Sequence, residues 1–257
     1  MSGRTRRLAT ATAALAGSFL LAAACAGAGA AGPSEITVLA ASSLTEAFTE
    51  LAAGFESVNP DARVRVSFAG SQILAAQLLE GAPGDVFASA DTRQMARAAE
   101  AGLVGRPRAL ASNRLVIITP PSDPGNVGAA VDLARDGVAV VLAGRAVPAG
   151  RYARQALAAL GLEEGVERRV VSEEDDVKGV VAKVALGEAD AGIVYATDVR
   201  GVMRDRLRTV RLGADVAVRY QIAATTASQQ PEIAAQFVEF ALDDGAEILR
   251  RAGLEGP

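Results

Sequence analysis

Four places in the chain put hydroxyl or backbone N–H donors where a strand or loop runs into a helical pattern. They are Ser42-Ser43, Gly70-Ser71, Pro148-Ala149-Gly150 and Asp176-Val177. The first N–H groups of a helix have no partner within it and carry the positive end of its dipole, so such junctions attract anions. Tyr195, at the end of an apolar run, adds a phenol O–H. The chemistry these types can do is neutral hydrogen bonding to an oxyanion. The plainer readings are equally physical. A Ser at such a junction is commonly an N-cap, and Asp175 and Asp176 read as caps of the helix after them. Pro148 and Gly150 are ordinary helix-entry residues, Tyr195 can be a core tyrosine, and Arg151 and Tyr152 read as surface or packing residues.

Other chemistries are excluded by composition. The 257 residues contain no His, which removes Ser-His-Asp triads, Cys-His dyads and imidazole metal sites. One Cys allows no internal disulfide and no thiolate cluster. Carboxylate, Lys and Tyr chemistry remain, with Lys178 beside Asp175 and Asp176 as the enzymatic candidates. No cofactor is implied. The formal charge is −4, and removing Arg4, Arg6 and Arg7 with an acid-free leader takes it to −7. A nonspecific nucleic-acid partner is therefore not expected.

The positioning elements alternate. Strand patterns at 35–40, 63–68, 85–89, 114–119, 137–142, 191–195, 208–212 and 216–224 are interleaved with helical patterns at 44–58, 72–80, 92–101, 152–160, 177–186 and 231–252. Alternation of this kind implies parallel α/β layers. With 50% hydrophobic residues the chain can build one large or two small cores.

Residues 1–32 read as a targeting leader and tether. The basic Arg4, Arg6 and Arg7 precede an uncharged stretch, 8–24, that is short and Ala-rich for a membrane span. It ends in L-A-A-A-C at Cys25, which resembles a bacterial lipoprotein cleavage site with Cys25 as the lipidated residue. The competing reading is a plain signal peptide cut later, near A-G-A-G-A. The expected location is the extracytoplasmic face of the cell membrane, or the periplasm without lipidation.

Six segments then occur in a telling order: I-T-V-L-A-A-S-S-L-T (36–45), V-S-F-A-G-S-Q-I-L-A (66–75), G-A-P-G-D-V-F-A-S-A-D (81–91), V-P-A-G-R-Y-A (147–153), E-D-D-V-K-G-V (174–180) and G-I-V-Y-A-T-D (192–198). Together they resemble the periplasmic molybdate-binding proteins of ABC importers, across nearly all of the chain after the leader. The resemblance implies a type II periplasmic-binding-protein fold, two α/β lobes joined by a hinge with the ligand cleft between them. Lobe one is then 33–112 with 219–257 and lobe two 113–218, with crossings near Asn113-Arg114 and Val218-Arg219. It further implies that Ser43, Ser71, Ala149, Val177 and Tyr195 bind molybdate, and equally tungstate. An importer permease is the implied partner, the chain acting as a monomer tethered through Cys25. Two contacts carry a one-residue choice of register, Ser42 for Ser43 and Asp176 for Val177. The alternatives are a receptor for sulfate, phosphate or an organic acid, the last needing an Arg such as Arg151, and a two-lobed enzyme.

Overall fold

Strand β1 (Ser34–Ala41) shows why the chain folds in layers. Ile36, Val38 and Ala40 are buried on one of its faces, while Leu39 is buried on the other against a separate apolar cluster. A strand apolar on both sides needs helices on both sides. The computed structural model describes residues 34–257. The expected leader, with Cys25, lies outside the described residues.

From β1 the chain passes through a 3-10 turn, Ser42–Leu44, into α1 (Thr45–Val58), then β2 (Ala62–Ala69), α2 (Ser71–Leu79), β3 (Val86–Ser89), α3 (Thr92–Glu100) and β4 (Arg108–Asn113). After β5 (Leu115–Thr119) come β6 (Val140–Ala143), α4 (Pro148–Ala159), α5 (Glu163–Glu167), β7 (Val170–Glu174), α6 (Val177–Ala185), β8 (Ala191–Tyr195) and β9 (Arg208–Arg211). Strand β10 (Val218–Ala224) and helices α7 (Pro231–Leu242) and α8 (Ala246–Arg251) close the chain. Two five-stranded sheets result, ordered β2-β1-β3-β10-β4 and β7-β6-β8-β5-β9.

Both sheets are mixed, which corrects the expectation of parallel layers. β10 runs antiparallel to β3 and β4, and β5 runs antiparallel to β8 and β9. The cause is connectivity. β4 leads into β5 of the other sheet and β9 returns to β10, so these strands do not belong to the right-handed strand–helix–strand units that make neighbours parallel. The structure also adds β4, β7 and α5 to the elements expected from the sequence.

The parallel triplets position everything that follows. In the first sheet Ala41 pairs with Ala69 and Ala40 with Ala88, so β1, β2 and β3 end at one edge. In the second, Ala143 pairs with Glu174 and Val141 with Gly192, so β6, β7 and β8 also end together. Helices α2 and α3 cover the first sheet through Leu74, Leu78, Met95 and Ala98. On the opposite face Phe237 of α7 meets the Phe55 ring of α1 edge-on at 5.3 Å and lies 6.3 Å from Phe48.

Phe237 is fully buried. Phe237→Ala is expected to cost about 3–5 kcal/mol, the transfer loss plus the cavity left. Urea unfolding should show a lower midpoint with an unchanged slope. Phe237→Leu should lose much less.

Candidate functional site

The edges where the two parallel triplets end face each other, and the loops leaving them enclose one small cavity. Its wall is Ala41, Ser42 and Ser43 after β1, Gly70 and Ser71 after β2, and Ala90 after β3, met by Val147, Pro148, Ala149, Val177 and Tyr195 from the second sheet's side. Open α/β sheets place ligands here, beyond the carboxyl ends of their strands. All five expected contact residues, Ser43, Ser71, Ala149, Val177 and Tyr195, line this cavity. Ser42 lines it too, whereas Asp176 does not. The cavity holds about 10 Å³, room for one water-sized body.

Among the described residues, no charged side chain lines the cavity. Four helical starts meet at it instead, three of them without side-chain caps. Neither α2, beginning at Ser71, nor α4, beginning at Pro148, has one, and the turn Ser42–Leu44 that leads into α1 has none. At α6 the Asp176 carboxylate accepts from the Gly179 N–H at 3.0 Å, two residues beyond Val177. Asp176 is thus a cap as expected. Asp175 is not, because Asp176 holds the N-cap position; the Asp175 backbone carbonyl accepts from Gln72 Nε2 at 2.8 Å.

The serines are not caps either. The N-cap positions of α1 and α2 are Leu44 and Gly70. Ser71 Oγ accepts from the Ala90 N–H at 3.0 Å, and Ser43 Oγ accepts from the Tyr220 O–H at 3.2 Å. Each oxygen is engaged by a protein donor, which frees its proton for another acceptor. Tyr195 goes further. Its hydroxyl is fully buried and has no hydrogen-bond partner among the described residues, and burial first, with neighbouring Tyr220, raises its pKa well above the ordinary value. It is a neutral O–H donor with nothing to donate to.

Two glycines make this convergence possible. A Cβ on Gly150 would sit 2.1 Å from the Ala143 carbonyl oxygen and 2.2 Å from that of Gly144, so the first turn of α4 lies directly against the end of β6. A Cβ on Gly70 would meet the Asp175 carbonyl oxygen at 2.7 Å. Arg154 secures α4 from behind by donating to the Ala143 carbonyl at 2.7 Å.

Charged groups surround the cavity without entering it, and several join the two sheets' sides. Arg151 of α4 donates to Asp91 Oδ2 at 3.1 and 3.2 Å while lying 4.1 Å over the Tyr152 ring. It does not line the cavity. Lys178 Nζ reaches Glu46 of α1 at 2.9 Å and the buried Asp198 at 3.4 Å. Burial lowers the Lys178 pKa, but Asp198 and Glu46 outweigh it and the net direction is upward. A nucleophilic amine needs the opposite. Beyond Lys178 opens a larger groove of about 1230 Å³ that shares Ser43 and is edged by Arg114, Arg200, Arg204, Arg208 and Arg251. Arg114, Arg208 and Arg251 are paired with Glu255, Asp123 and Glu50, Arg200 donates to the Arg251 carbonyl, and the groove does not contain the uncapped helix starts at Ser71 and Ala149.

Asp198, Tyr220 and Asp91 carry no local signal in the sequence, and Asn113 stands out there only as a crossing residue. Asp198 and Asp91 end two of the segments that carry the family resemblance, but their burial and partners depend on residues far along the chain. Burial pushes Asp198 up to about 7 against the opposing pull of Lys178 and the Tyr195 N–H. A carboxyl whose folded pKa exceeds its unfolded value binds a proton on folding between the two. Its contribution is therefore fully present below the ordinary value of 3.8 and is lost as pH rises through about 7. In thermal melts, the stability of the wild type relative to Asp198→Asn should fall from pH 5 to pH 7 and then level off. A difference that stays flat across that window contradicts this.

The family model for bacterial extracellular solute-binding proteins matches residues 36–255. A protein of Mycobacterium tuberculosis named molybdate-binding protein ModA is 40% identical over 230 residues, covering 88% of this chain and 86% of that one. The solved periplasmic molybdate-binding protein of Azotobacter vinelandii superposes with a TM-score of 0.76 at 23% identity, covering 86% of this chain and 99% of that one. The sulfate-binding protein SubI of Mycobacterium tuberculosis does so with a TM-score of 0.77 at 16% identity, covering 86% of each chain. The last two likenesses show the fold, shared by receptors of different anions. With its two mixed sheets, its cavity between their strand ends and a family match over nearly all the described residues, the chain belongs to the bacterial extracellular solute-binding proteins.

Proposed function

We propose that the protein captures molybdate, and with it tungstate, outside the cytoplasm and delivers it to the permease of an ABC importer. The observation that carries this reading is the Tyr195 hydroxyl, buried without a partner in a cavity walled only by neutral groups. A dianion there receives hydroxyl protons from Ser43, Ser71 and Tyr195 and backbone N–H groups from Ala149 and Val177. In a dry site such donors act far more strongly than in water, and the helix dipoles aimed at the anion add to them. A charged side chain is not required, because several oriented dipoles share the two charges.

The names of the relatives support molybdate among the tetrahedral anions. The cavity's small volume implies that the halves part to admit a four-oxygen anion and close around it. In this reading the lobes are 33–112 with 219–257, and 113–218, with crossings at Asn113-Arg114 and Val218-Arg219. Cys25 would carry a lipid anchor that keeps the monomeric receptor near its permease. Nothing in the scheme calls for a catalytic step or a cofactor.

Isothermal titration of the purified exported chain should find molybdate and tungstate tight, with sulfate and phosphate far weaker. Ser43→Ala, Ser71→Ala and Tyr195→Phe each remove one donor to a charged ligand. Each should weaken molybdate by about tenfold to a hundredfold; Tyr195→Phe should not lower the melting temperature of the free protein, whereas Ser43→Ala and Ser71→Ala leave the Tyr220 O–H and the Ala90 N–H without an acceptor and should lower it modestly. Sulfate or phosphate binding tighter than molybdate would reject the assigned ligand. Unchanged molybdate affinity in all three variants would reject the assigned residues.

A further inference from the structure

We infer that Asn113 and Tyr220, outside the cavity wall, fix Ser43 as a one-way proton donor and so make the site choose fully deprotonated oxyanions over protonated ones. The inference rests on the anion site proposed above. It is carried by a chain of hydrogen bonds that runs from the crossing between the sheets into the cavity.

The chain begins at Asn113, the last residue of β4. Its Oδ1 accepts the Arg114 N–H at 2.9 Å, which sets the amide's orientation. Its Nδ2 therefore points the other way, donating to Thr197 Oγ1 at 2.9 Å and to Tyr220 Oη at 3.2 Å. The Tyr220 oxygen, taking that N–H, passes its own proton onward to Ser43 Oγ at 3.2 Å. Burial raises the Tyr220 pKa, so the phenol keeps the proton it donates. Ser43 Oγ is thus engaged from behind, and what it offers the cavity is its hydrogen. Across the cavity the Ala90 N–H engages Ser71 Oγ in the same way.

A hydroxyl is normally both donor and acceptor. Here two serines are biased toward donation by protein groups behind them, and no carboxylate lines the cavity. An anion that keeps a proton brings an O–H to this array and must lose a hydrogen bond or disturb the relay. Unpaired polar groups in buried sites discriminate more strongly than size alone. Asn113 and Tyr220 reach the anion only through Ser43, so they are positioning residues. Both stand where the chain crosses between sheets, Asn113 pairing in register with Val218 of β10.

Tyr220→Phe deletes only the relay oxygen and keeps the ring that lies 6.0 Å from Tyr195. The exported chain and the variant are titrated with molybdate, then with sulfate and phosphate by displacement, at neutral pH and matched ionic strength. Sulfate carries no proton there and phosphate does. The variant should bind molybdate about tenfold more weakly, and its phosphate-to-sulfate affinity ratio should rise by about tenfold. An unchanged ratio overturns the inference, whether the affinities fall together or stay as they were, because a merely structural role moves all anions alike. If Tyr220→Phe does not fold, Asn113→Ala should shift the ratio in the same direction by a smaller factor, and no shift there overturns the inference too. A wild type that binds sulfate or phosphate but ignores molybdate refutes the assigned ligand, while the ratio still judges the relay.

Discussion

A buried hydroxyl with no partner costs on the order of 1–3 kcal/mol, and this fold keeps one at Tyr195. The described residues around it leave that cost standing. No carboxylate lines the cavity to satisfy the phenol, and the two serines beside it have their oxygens taken by Ala90 and Tyr220. The helix starts at Ser71 and Pro148 have no side-chain caps, although a cap at each would add about 1 kcal/mol of stability. Local stability is forgone at several adjacent points, all facing the same few cubic ångströms, as expected where binding constrains a fold.

Bringing those points together depends on the ends of parallel strands. β1, β2 and β3 finish in register at one edge and β6, β7 and β8 at another, so each junction that follows a strand starts from a fixed place. The approach is close enough that Gly150 and Gly70 have no room for a Cβ. Charge is handled separately. Arg151–Asp91 and Lys178–Glu46 join the two sides around the cavity rim, and none of these four residues lines the cavity.

Much of this was legible in the sequence because the site consists of junctions. A run such as I-T-V-L-A followed by S-S-L-T announces a strand end and a helix start, whatever the rest of the chain does. The five residues that the family resemblance implies as contacts share one cavity. The serines' role as caps, a sound reading of Ser before a helix, fails because their oxygens are engaged from behind by groups 19 and 177 residues away. Such partners leave no local pattern. The same holds for Asp198, which reads as an ordinary polar residue after Tyr195 until the fold buries it beside Lys178. The strand β4 was missed because R-A-L-A-S-N lacks a strong apolar alternation and is held by pairing with β10. The mixed sheets were missed because strand direction at a crossing is set by connectivity, not by composition.

The central claim is that an oxyanion is held by neutral donors in this cavity, with the cationic groove beside it left unoccupied. Crystals grown with molybdate and measured at the molybdenum absorption edge test it directly. The account predicts one strong anomalous peak within hydrogen-bond reach of Ser43, Ser71 and Tyr195 and of the Ala149 and Val177 N–H groups. A peak in the groove beside Lys178 and Arg114, or no ordered molybdenum at all, would contradict it.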